Sequence, residues 1–521
     1  MTGLGKVLKS FLHALQSLEF IYEKSLFPEP EYIFKHALTQ EVAYNSLLLK
    51  RRRELHERIG LAIEELYPQR LEDFYETLAY HYSRSENADK AVHYLRLSGD
   101  KATRDYANWE AVRLYEEAAR ILDAQPDTEE TKRTKLEVFI SILDPAFLLG
   151  FPEGSIEFLE RAEGLAEELG DESSLAVVYR RFALFHSFRG DLSLSLRYSE
   201  KCFDTAEKAG DVEEMAMTAF DICTALVLTG NLLEAAMVSR RVIEVLEENQ
   251  RQKDIFVGMF SAYSDQCGWC GLALGVMGEF EEAKAVLDKG LENALEIDDL
   301  FGAGFVDENY AFMAFVEGDA DNTIYRASKA IERFEETGID FILGTTMAWL
   351  GLGHMLIGEF DTAREHAEKG LEIHQEVGIP VLLPGVFWSL SLIYLGADDP
   401  EQAAAHAEES LRLAREYQSR TYEAMALLAL GRAVAEEDRS RAREAEENIR
   451  RALSMAEEMM AKPFSAMSYL FMGEVLEIAS RREEAMENLR RAEVMYLEMG
   501  VIPVSYWLTR TREALARLGQ V

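Results

Sequence analysis

The sequence predicts an all-α protein built as a solenoid of helix hairpins with a period near 40 residues. A turn of glycine, an acidic residue and an aromatic residue, followed three positions later by alanine, occurs in nearly the same form at 278–283 and 358–363. Weaker copies begin at Gly190, Gly230 and Gly318, so the spacings along the chain are 40, 48, 40 and 40 residues. Self-similarity at such a period indicates stacked helix pairs, because one pair cannot bury its apolar face alone.

Each clear copy has a turn glycine, an aromatic residue two positions later and small residues on the helix that follows. These repeat positions are Gly278, Phe280 and Ala283 in one copy and Gly358, Phe360, Ala363 and Ala367 in the other. Alanines four residues apart share one helix face and let two antiparallel helices approach closely. Glycines at the end of the second helix are predicted to be C-terminal caps. They are Gly338, Gly378 and Gly500.

This pattern resembles the tetratricopeptide repeat. The resemblance implies about ten antiparallel hairpins wound into a right-handed superhelix, whose concave surface is lined by the first helix of each pair. The period is about six residues longer than the usual 34, and the proline that closes the usual repeat is mostly missing. Residues 71–521 are assigned to this solenoid.

The N-terminal segment differs from the repeats and carries a second resemblance. Its distinctive residues are the phrase from Phe34 to Leu38, Tyr44, and an Arg-Arg-x-Leu-His block. Residues 18–70 resemble the end of the winged-helix region and the connecting helices of bacterial signal-transduction ATPases, especially those fused to class III adenylate or guanylate cyclases. The candidate motif residues are Phe34, His36, Arg52, Arg53 and His56. Residues 1–70 are therefore assigned to a winged-helix remnant with its connecting helices.

The resemblance implies a phosphate-sensing role for His36, but no nucleotide domain lies in this chain for it to sense. A capped or packed imidazole is the expected alternative. The basic run from Lys50 to Arg53 is either a solvated helix face or a docking patch for another domain. The sequence contains no phosphate-cradling Gly-x4-Gly-Lys loop and no pair of cyclase aspartates. It therefore predicts no catalytic residues.

Charge is distributed unevenly along the chain. Its 55 Lys and Arg stand against 93 Asp and Glu, a formal net charge of −38. The first 120 residues hold 17 basic and 19 acidic residues, so −36 of this charge belongs to residues 121–521. Such a surplus repels nucleic acid and anionic membranes. Two interpretations stay open, a solvated face that keeps the solenoid soluble or an acidic inner groove that selects a basic partner.

Cysteines and histidines do not form a predicted metal site. Cys267 and Cys270 make the one Cys-x-x-Cys pair, but they fall at repeat positions that face the partner helix, where free cysteine packs as a small hydrophobe. His354 and His366 belong to different predicted helices, and His374 lies two turns beyond His366. No second cysteine pair completes a zinc set. No metal and no cofactor are therefore expected.

Composition predicts a cytoplasmic protein. Four cysteines in 521 residues do not form a disulfide framework, which fits a reducing compartment. The longest apolar tract, 381–395, is interrupted by a proline and two serines and is too short to cross a bilayer.

The expected function is recognition without catalysis. In this interpretation the chain is a repeat scaffold, or the sensor region of a signalling ATPase, and binds a protein or peptide partner. The alternative is a regulatory fragment of a multidomain cyclase or NTPase, whose catalytic domain lies outside this chain and contacts it.

Overall fold

A computed structural model of the chain describes residues 3–25, 31–105, 107–149, 151–189, 191–256, 261–338, 342–377 and 380–519. Within these residues the protein has 25 α-helices and one two-stranded antiparallel sheet. The predicted all-α solenoid of helix hairpins is confirmed. None of the described helices has the length and apolarity that crossing a membrane requires.

The chain divides into two compact units, Met1–Ser174 and Leu175–Val521. Unit 1 contains α1 (Gly3–Ser17), β1 (Ile21–Ser25), β2 (Glu31–Phe34), α2 (Ala37–Asn45), α3 (Leu49–Leu66), α4 (Tyr75–Tyr82), α5 (Ala88–Arg104), α6 (Asn108–Asp123), α7 (Glu129–Leu148) and α8 (Ser155–Leu169). The two strands pair in antiparallel register, with Ile21 opposite Phe34. Consecutive helices from α3 to α8 pack side by side.

Unit 2 is a continuous series of hairpins. Its helices are α9 (Glu172–Phe188, which begins at the end of unit 1), α10 (Leu192–Ala209), α11 (Val212–Thr229), α12 (Leu232–Glu248), α13 (Ala262–Met277), α14 (Phe280–Glu296), α15 (Leu300–Glu317), α16 (Ala320–Thr337), α17 (Leu343–Leu356), α18 (Phe360–Val377), α19 (Leu383–Gly396), α20 (Pro400–Glu416), α21 (Arg420–Glu437), α22 (Ala442–Glu458), α23 (Lys462–Ile478), α24 (Arg482–Glu498) and α25 (Tyr506–Gly519). The predicted boundary at residue 70 stays a prediction, because compactness alone does not identify a winged helix.

The repeat positions behave as the sequence predicts. Turn glycines Gly278 and Gly358 have φ of 83° and 81°, in the left-handed region. The small residues Ala283, Ala363 and Ala367 are completely buried between paired helices. The caps at Gly338 and Gly500 are confirmed by their φ of 67°. Gly190 and Gly378 lie outside the described residues.

Helices of unit 2 form two layers. We call the odd-numbered helices from α11 to α25 the inner helices and the even-numbered helices from α12 to α24 the outer helices. The inner helix α15 is buried at 17 of its 18 residues, whereas the outer helix α14 buries six of 17. The outer helix α14 therefore packs along one stripe, and the inner helix α15 packs on all sides.

Inner helices are surrounded because unit 2 winds tightly. Helix α11 contacts α21, and α13 contacts α23, in each case five hairpins further along the chain. Helix α15 meets α25 in the same way. Trp507 Nε1 donates to the backbone oxygen of Phe315 at 2.9 Å, and Ser505 Oγ, just before α25, donates to the backbone oxygen of Glu317 at 2.7 Å. The Phe315 ring also meets Trp388 and Trp507 edge-on, with centroids 5.7 and 5.6 Å apart. Aromatic side chains thus fill much of the interior.

Candidate functional site

A cavity of about 130 Å³ remains among the inner helices of unit 2. Its wall comes mainly from α11, α13, α15, α17 and α21. Leu232 of α12, Ile342 just before α17, and Val381 and Leu382 just before α19 complete it. Rim residues such as Thr224 and Leu228 are partly exposed. Residues deeper in the wall, including Asn309 at 2% exposure, are buried.

The wall of this cavity is mostly aromatic. Phe305 and Phe312 lie three residues before and four residues after Glu308 on α15, so all three share one helix face. Trp349 of α17 packs on Phe312 with centroids 4.7 Å apart. Trp269 of α13 meets Phe305 at 5.3 Å. With Tyr422 of α21, five aromatic side chains therefore line the cavity that also contains the carboxyl group of Glu308.

Of the described residues that line the wall, Glu308 is the one acidic residue. Its Oε1 accepts a hydrogen bond from Trp349 Nε1 at 2.7 Å. Burial raises the pKa of Glu308 to about 7, and the hydrogen bond from Trp349 opposes that rise only in part. In the part of the chain that the structure describes, no lysine, arginine or histidine pairs with this carboxyl group.

Two further polar groups belong to the same wall. Trp269 Nε1 is buried and has no hydrogen-bond partner among the described residues. Asn309 Nδ2 donates to the backbone oxygen of Phe305 at 2.8 Å, so its Oδ1 remains an acceptor. An apolar wall with a few convergent polar groups is typical of a small-ligand site.

A second cavity, of about 250 Å³, adjoins the first and shares Thr224, Leu228 and Val381 with it. Its wall is more polar and includes Ser193, Ser195, Ser199, Gln418 and Asp221. Burial raises the pKa of Asp221 to about 6, although the charge of Arg180 opposes the shift. The two cavities together offer an apolar end and a polar end.

Acidic residues lie mostly outside these cavities. In the outer helix α14, Glu281, Glu282 and Glu292 are exposed, while the inner helices α17 and α19 contain no acidic residue. The charge of α14 is therefore a solvated outer face. Other inner helices contain acidic residues, such as Glu213 of α11 and Glu423 of α21, so an acidic groove that selects a basic partner stays a prediction.

The predicted motif residues of unit 1 lie in two places. His56 is buried, with its Nε2 3.0 Å from Tyr44 Oη and its Nδ1 2.8 Å from His81 Nδ1. Arg52 lies over the ring of Tyr44, with its guanidinium carbon 4.9 Å from the centroid. Arg53 pairs with Glu86 at 3.3 Å.

Phe34 and His36 lie apart from that cluster, at the end of β2 and before α2. The expectation of a capped or packed His36 is wrong, because its side chain is exposed and makes no cap hydrogen bond. Lys50 and Arg51 are also exposed. Whether these residues serve the predicted family role stays a prediction.

Sequence reasoning placed the cysteines correctly but missed the cavity. Cys267 and Cys270 are free, completely buried thiols whose pKa values burial raises. His354 and His366 come from neighbouring helices, and their rings stack at 5.4 Å. No group of three metal-ligating side chains converges among the described residues. The sequence feature that could have indicated the cavity is the run of three polar residues, Asp307-Glu308-Asn309, inside the otherwise apolar α15.

Comparisons with known proteins add little beyond these observations. No protein-family model matches the chain, and a search of curated protein sequences found no significant match. Among solved structures, a Rap protein complexed with competence and sporulation factor is 14% identical, with 82% of this chain and 99% of that chain covered and a TM-score of 0.45. The apo form of the quorum sensor NprR from B. thuringiensis is 14% identical, with 70% and 99% covered and a TM-score of 0.46. Yeast Tom70 is 13% identical, with 92% and 96% covered and a TM-score of 0.35. Likenesses at this identity and TM-score do not indicate what the chain binds.

Proposed function

We propose that the chain is a non-catalytic repeat protein that binds a short segment of a peptide or protein partner in the cavities of unit 2. The observation that carries this proposal is the aromatic cavity among the inner helices, with a more polar cavity adjoining it. An apolar side chain can fill the first cavity while the peptide backbone meets polar groups in the second. The charge of −36 over residues 121–521 favours a basic partner. The four buried free thiols fit a cytoplasmic location.

Selection from a random peptide library tests the proposal. The wild-type protein is the target, and the variant Leu228→Trp, which places a larger side chain at the rim shared by both cavities, is the counter-target. Selected peptides should bind the wild type and lose about tenfold or more in affinity for the variant, which corresponds to about 1.4 kcal/mol.

Leu233→Trp is the matched control, because Leu233 is an exposed leucine of α12, at 48% exposure, that lines neither cavity. It should leave affinity unchanged. Peptides that bind wild type and Leu228→Trp equally well would place the binding surface elsewhere. A selection that yields no binding peptide would contradict the peptide-binding proposal itself.

A second proposal concerns unit 1, which would contact the ATPase domain of a signalling protein, in keeping with the resemblance of residues 18–70. Large apolar side chains are exposed in the N-terminal segment, residues 1–70, including Leu8 at 60% and Phe11 at 64% on α1, and Val42 at 63% on α2. A group of exposed apolar side chains is typical of a protein interface. Under this proposal the chain is the sensor or regulatory region of that ATPase.

Gene context and copurification test this second proposal. An ATPase with a phosphate-binding loop should be encoded directly upstream or adjacent, and should copurify with the wild-type chain but not with Phe11→Asp. The control is Trp109→Asp, since Trp109 is equally exposed, at 66%, but lies on α6 outside the segment. An adjacent ATPase that copurifies equally well with the wild type, with Phe11→Asp and with Trp109→Asp would contradict the proposed interface.

A further inference from the structure

Among the described residues Glu308 has no cationic partner, and it lines a cavity. Two other buried carboxylates of unit 2, Asp265 and Asp299, also have no cationic partner among those residues, but neither lines this cavity. Asp299 accepts from the backbone N–H groups of Ser261 and Gly302, and Asp265 accepts from Gln266 Nε2. The remaining buried carboxylates that the structure describes in unit 2 are paired with arginine or lysine.

Glu474 is the clearest contrast to Glu308, because Arg432 and Arg510 each donate to it at 2.8 Å. Burial alone would raise the pKa of Glu474, but the two arginines outweigh it and lower the value to about 2. Other buried carboxylates with a lysine or arginine partner are Glu214, Asp307, Glu317 and Glu446.

An isolated carboxylate in an apolar cavity is costly, since buried charge is normally paired. Glu308 is 7% exposed, and one hydrogen bond from Trp349 accounts for only one of its oxygens. The carboxyl group nevertheless lies in the wall of an open cavity rather than in packed core. A cation that enters this cavity supplies the partner that the protein itself does not.

We propose that the cavity takes the side chain of a lysine from a peptide, with its ammonium group on the carboxylate of Glu308 and its carbon chain among the surrounding aromatic rings. This inference rests on the proposed function, since it names the side chain that the peptide places in the cavity.

The aromatic wall suits both parts of a lysine side chain. Ring faces attract a cation through their quadrupole when it lies within about 6 Å of the centroid. The four-carbon stem of lysine is apolar and loses little by leaving water. A cavity of about 150 Å³ is known to hold benzene, so the 130 Å³ here is of a size to accept this stem.

The polar groups favour lysine over arginine. An ammonium group has three donors, and Glu308 and the Oδ1 of Asn309 offer acceptors in the wall. A guanidinium group has five donors in a rigid fork and would leave more of them unpaired in a largely apolar cavity.

Trp269 favours a peptide over a free amine. Its buried Nε1 lacks an acceptor in the described part of the chain, and an alkylammonium ion offers none. A peptide carries backbone carbonyl oxygens close to the lysine side chain, and one of these can accept from Trp269. The adjoining cavity leaves room for the flanking residues.

Calorimetric titration of short capped peptides tests the inference. The central residue is lysine, norleucine, Nε-acetyl-lysine or arginine, flanked by glycines, and n-butylammonium chloride is titrated in parallel. Wild-type protein should bind the lysine peptide about tenfold or more tightly than the norleucine peptide, because hydrogen bonds to charged groups are among the strongest. The acetylated and arginine peptides should also bind more weakly than the lysine peptide.

Two variants isolate the carboxylate. Glu308→Gln keeps the shape and the acceptor for Trp349 but removes the charge, so it should abolish the preference for lysine and leave norleucine binding unchanged. Glu292→Gln removes one exposed charge from α14 and should preserve the preference.

The outcomes separate the two proposals. Equal binding of lysine and norleucine peptides by wild-type protein overturns the lysine inference and leaves the peptide cavity standing. Failure of every peptide to bind overturns both. Binding of n-butylammonium that depends on Glu308, without binding of the lysine peptide, shows that the ligand is a free amine and overturns the lysine assignment.

Discussion

Glu308 and Glu474 show how one residue type serves two purposes within the inner helices. Glu474 joins α21, α23 and α25 through its two arginines, and its negative charge is stabilised in the fold. Glu308 has the same degree of enclosure, but its neighbours are aromatic rings and an indole N–H. A carboxylate held in this way destabilises the folded protein when it is ionised. That cost is typical of a binding residue rather than a structural one.

At the residue scale we predict that Glu308→Gln stabilises the protein, and more so at high pH. The folded-state pKa of about 7 lies above the ordinary 4.5, so the folded state holds a proton that the unfolded state releases between these values. Stability from this group is therefore greatest below pH 4.5 and falls as pH rises to 7. The gain in unfolding free energy on substitution should be larger at pH 8 than at pH 5 by about 2 kcal/mol.

Urea denaturation of wild type and variant at the two pH values measures this difference. Glu292→Gln, an exposed carboxylate on α14, should change stability little at either pH. A gain for Glu308→Gln that is the same at pH 5 and pH 8 would show that Glu308 titrates normally in the fold.

At the scale of the element, the hairpin turn determines where each helix pair closes. The glycine that ends an inner helix has left-handed backbone, with φ between 81° and 85° at Gly278, Gly318 and Gly358. Glycine adopts this conformation without the strain that a β-carbon introduces. Later hairpins depart from the pattern, and at the end of α19 Asp398 has φ of 61° in place of glycine. The replacement of the turn glycine by Asp398 in this hairpin is therefore a tolerated substitution and not a change of fold.

Gly358→Ala should lower the unfolding free energy by about 1 kcal/mol through backbone strain alone. A β-carbon at this position meets no atom within 4 Å. At Gly278 the same change also brings the β-carbon to 2.6 Å from Met499 Sδ, so Gly278→Ala should cost more. Chemical denaturation of the two variants checks the order, and equal losses would mean that the contact with Met499 adds nothing.

At the scale of the whole molecule, the winding of unit 2 makes distant repeats depend on each other. An open solenoid is stabilised by neighbouring repeats only. Here Ser419 Oγ donates to the backbone oxygen of Leu228 at 3.1 Å, and Tyr506 N donates to that of Gly318 at 2.9 Å, in both cases across almost 200 residues of chain. Unit 2 should therefore unfold with more cooperativity than an open array of the same length.

Trp507→Ala tests this coupling. Trp507 is 1% exposed and contacts Phe315 of α15 through both its ring and its Nε1. The substitution should cost about 3–5 kcal/mol and increase amide hydrogen exchange in α15 as well as in α25. Trp507→Phe keeps an aromatic ring and removes the hydrogen bond, so its effect should be smaller. Unchanged exchange in α15 would show that the two ends of this contact unfold independently.

The amino-acid sequence by itself determined the hairpins of this protein. Turn glycines and buried alanines such as Ala283 and Ala363 are local requirements, since a tight turn and a close helix pair each demand a particular residue type within a few positions. Burial of Cys267 followed from the same register.

Only the tertiary structure decided how the hairpins wind and what they enclose. Contacts between α11 and α21 depend on small rotations added over five hairpins, and no local pattern encodes their sum. The cavity around Glu308 depends on that winding, because Trp269, Trp349 and Tyr422 reach its wall from three other helices. A glutamate in a helical sequence carries no sign of being unpaired, since pairing is settled by residues far along the chain.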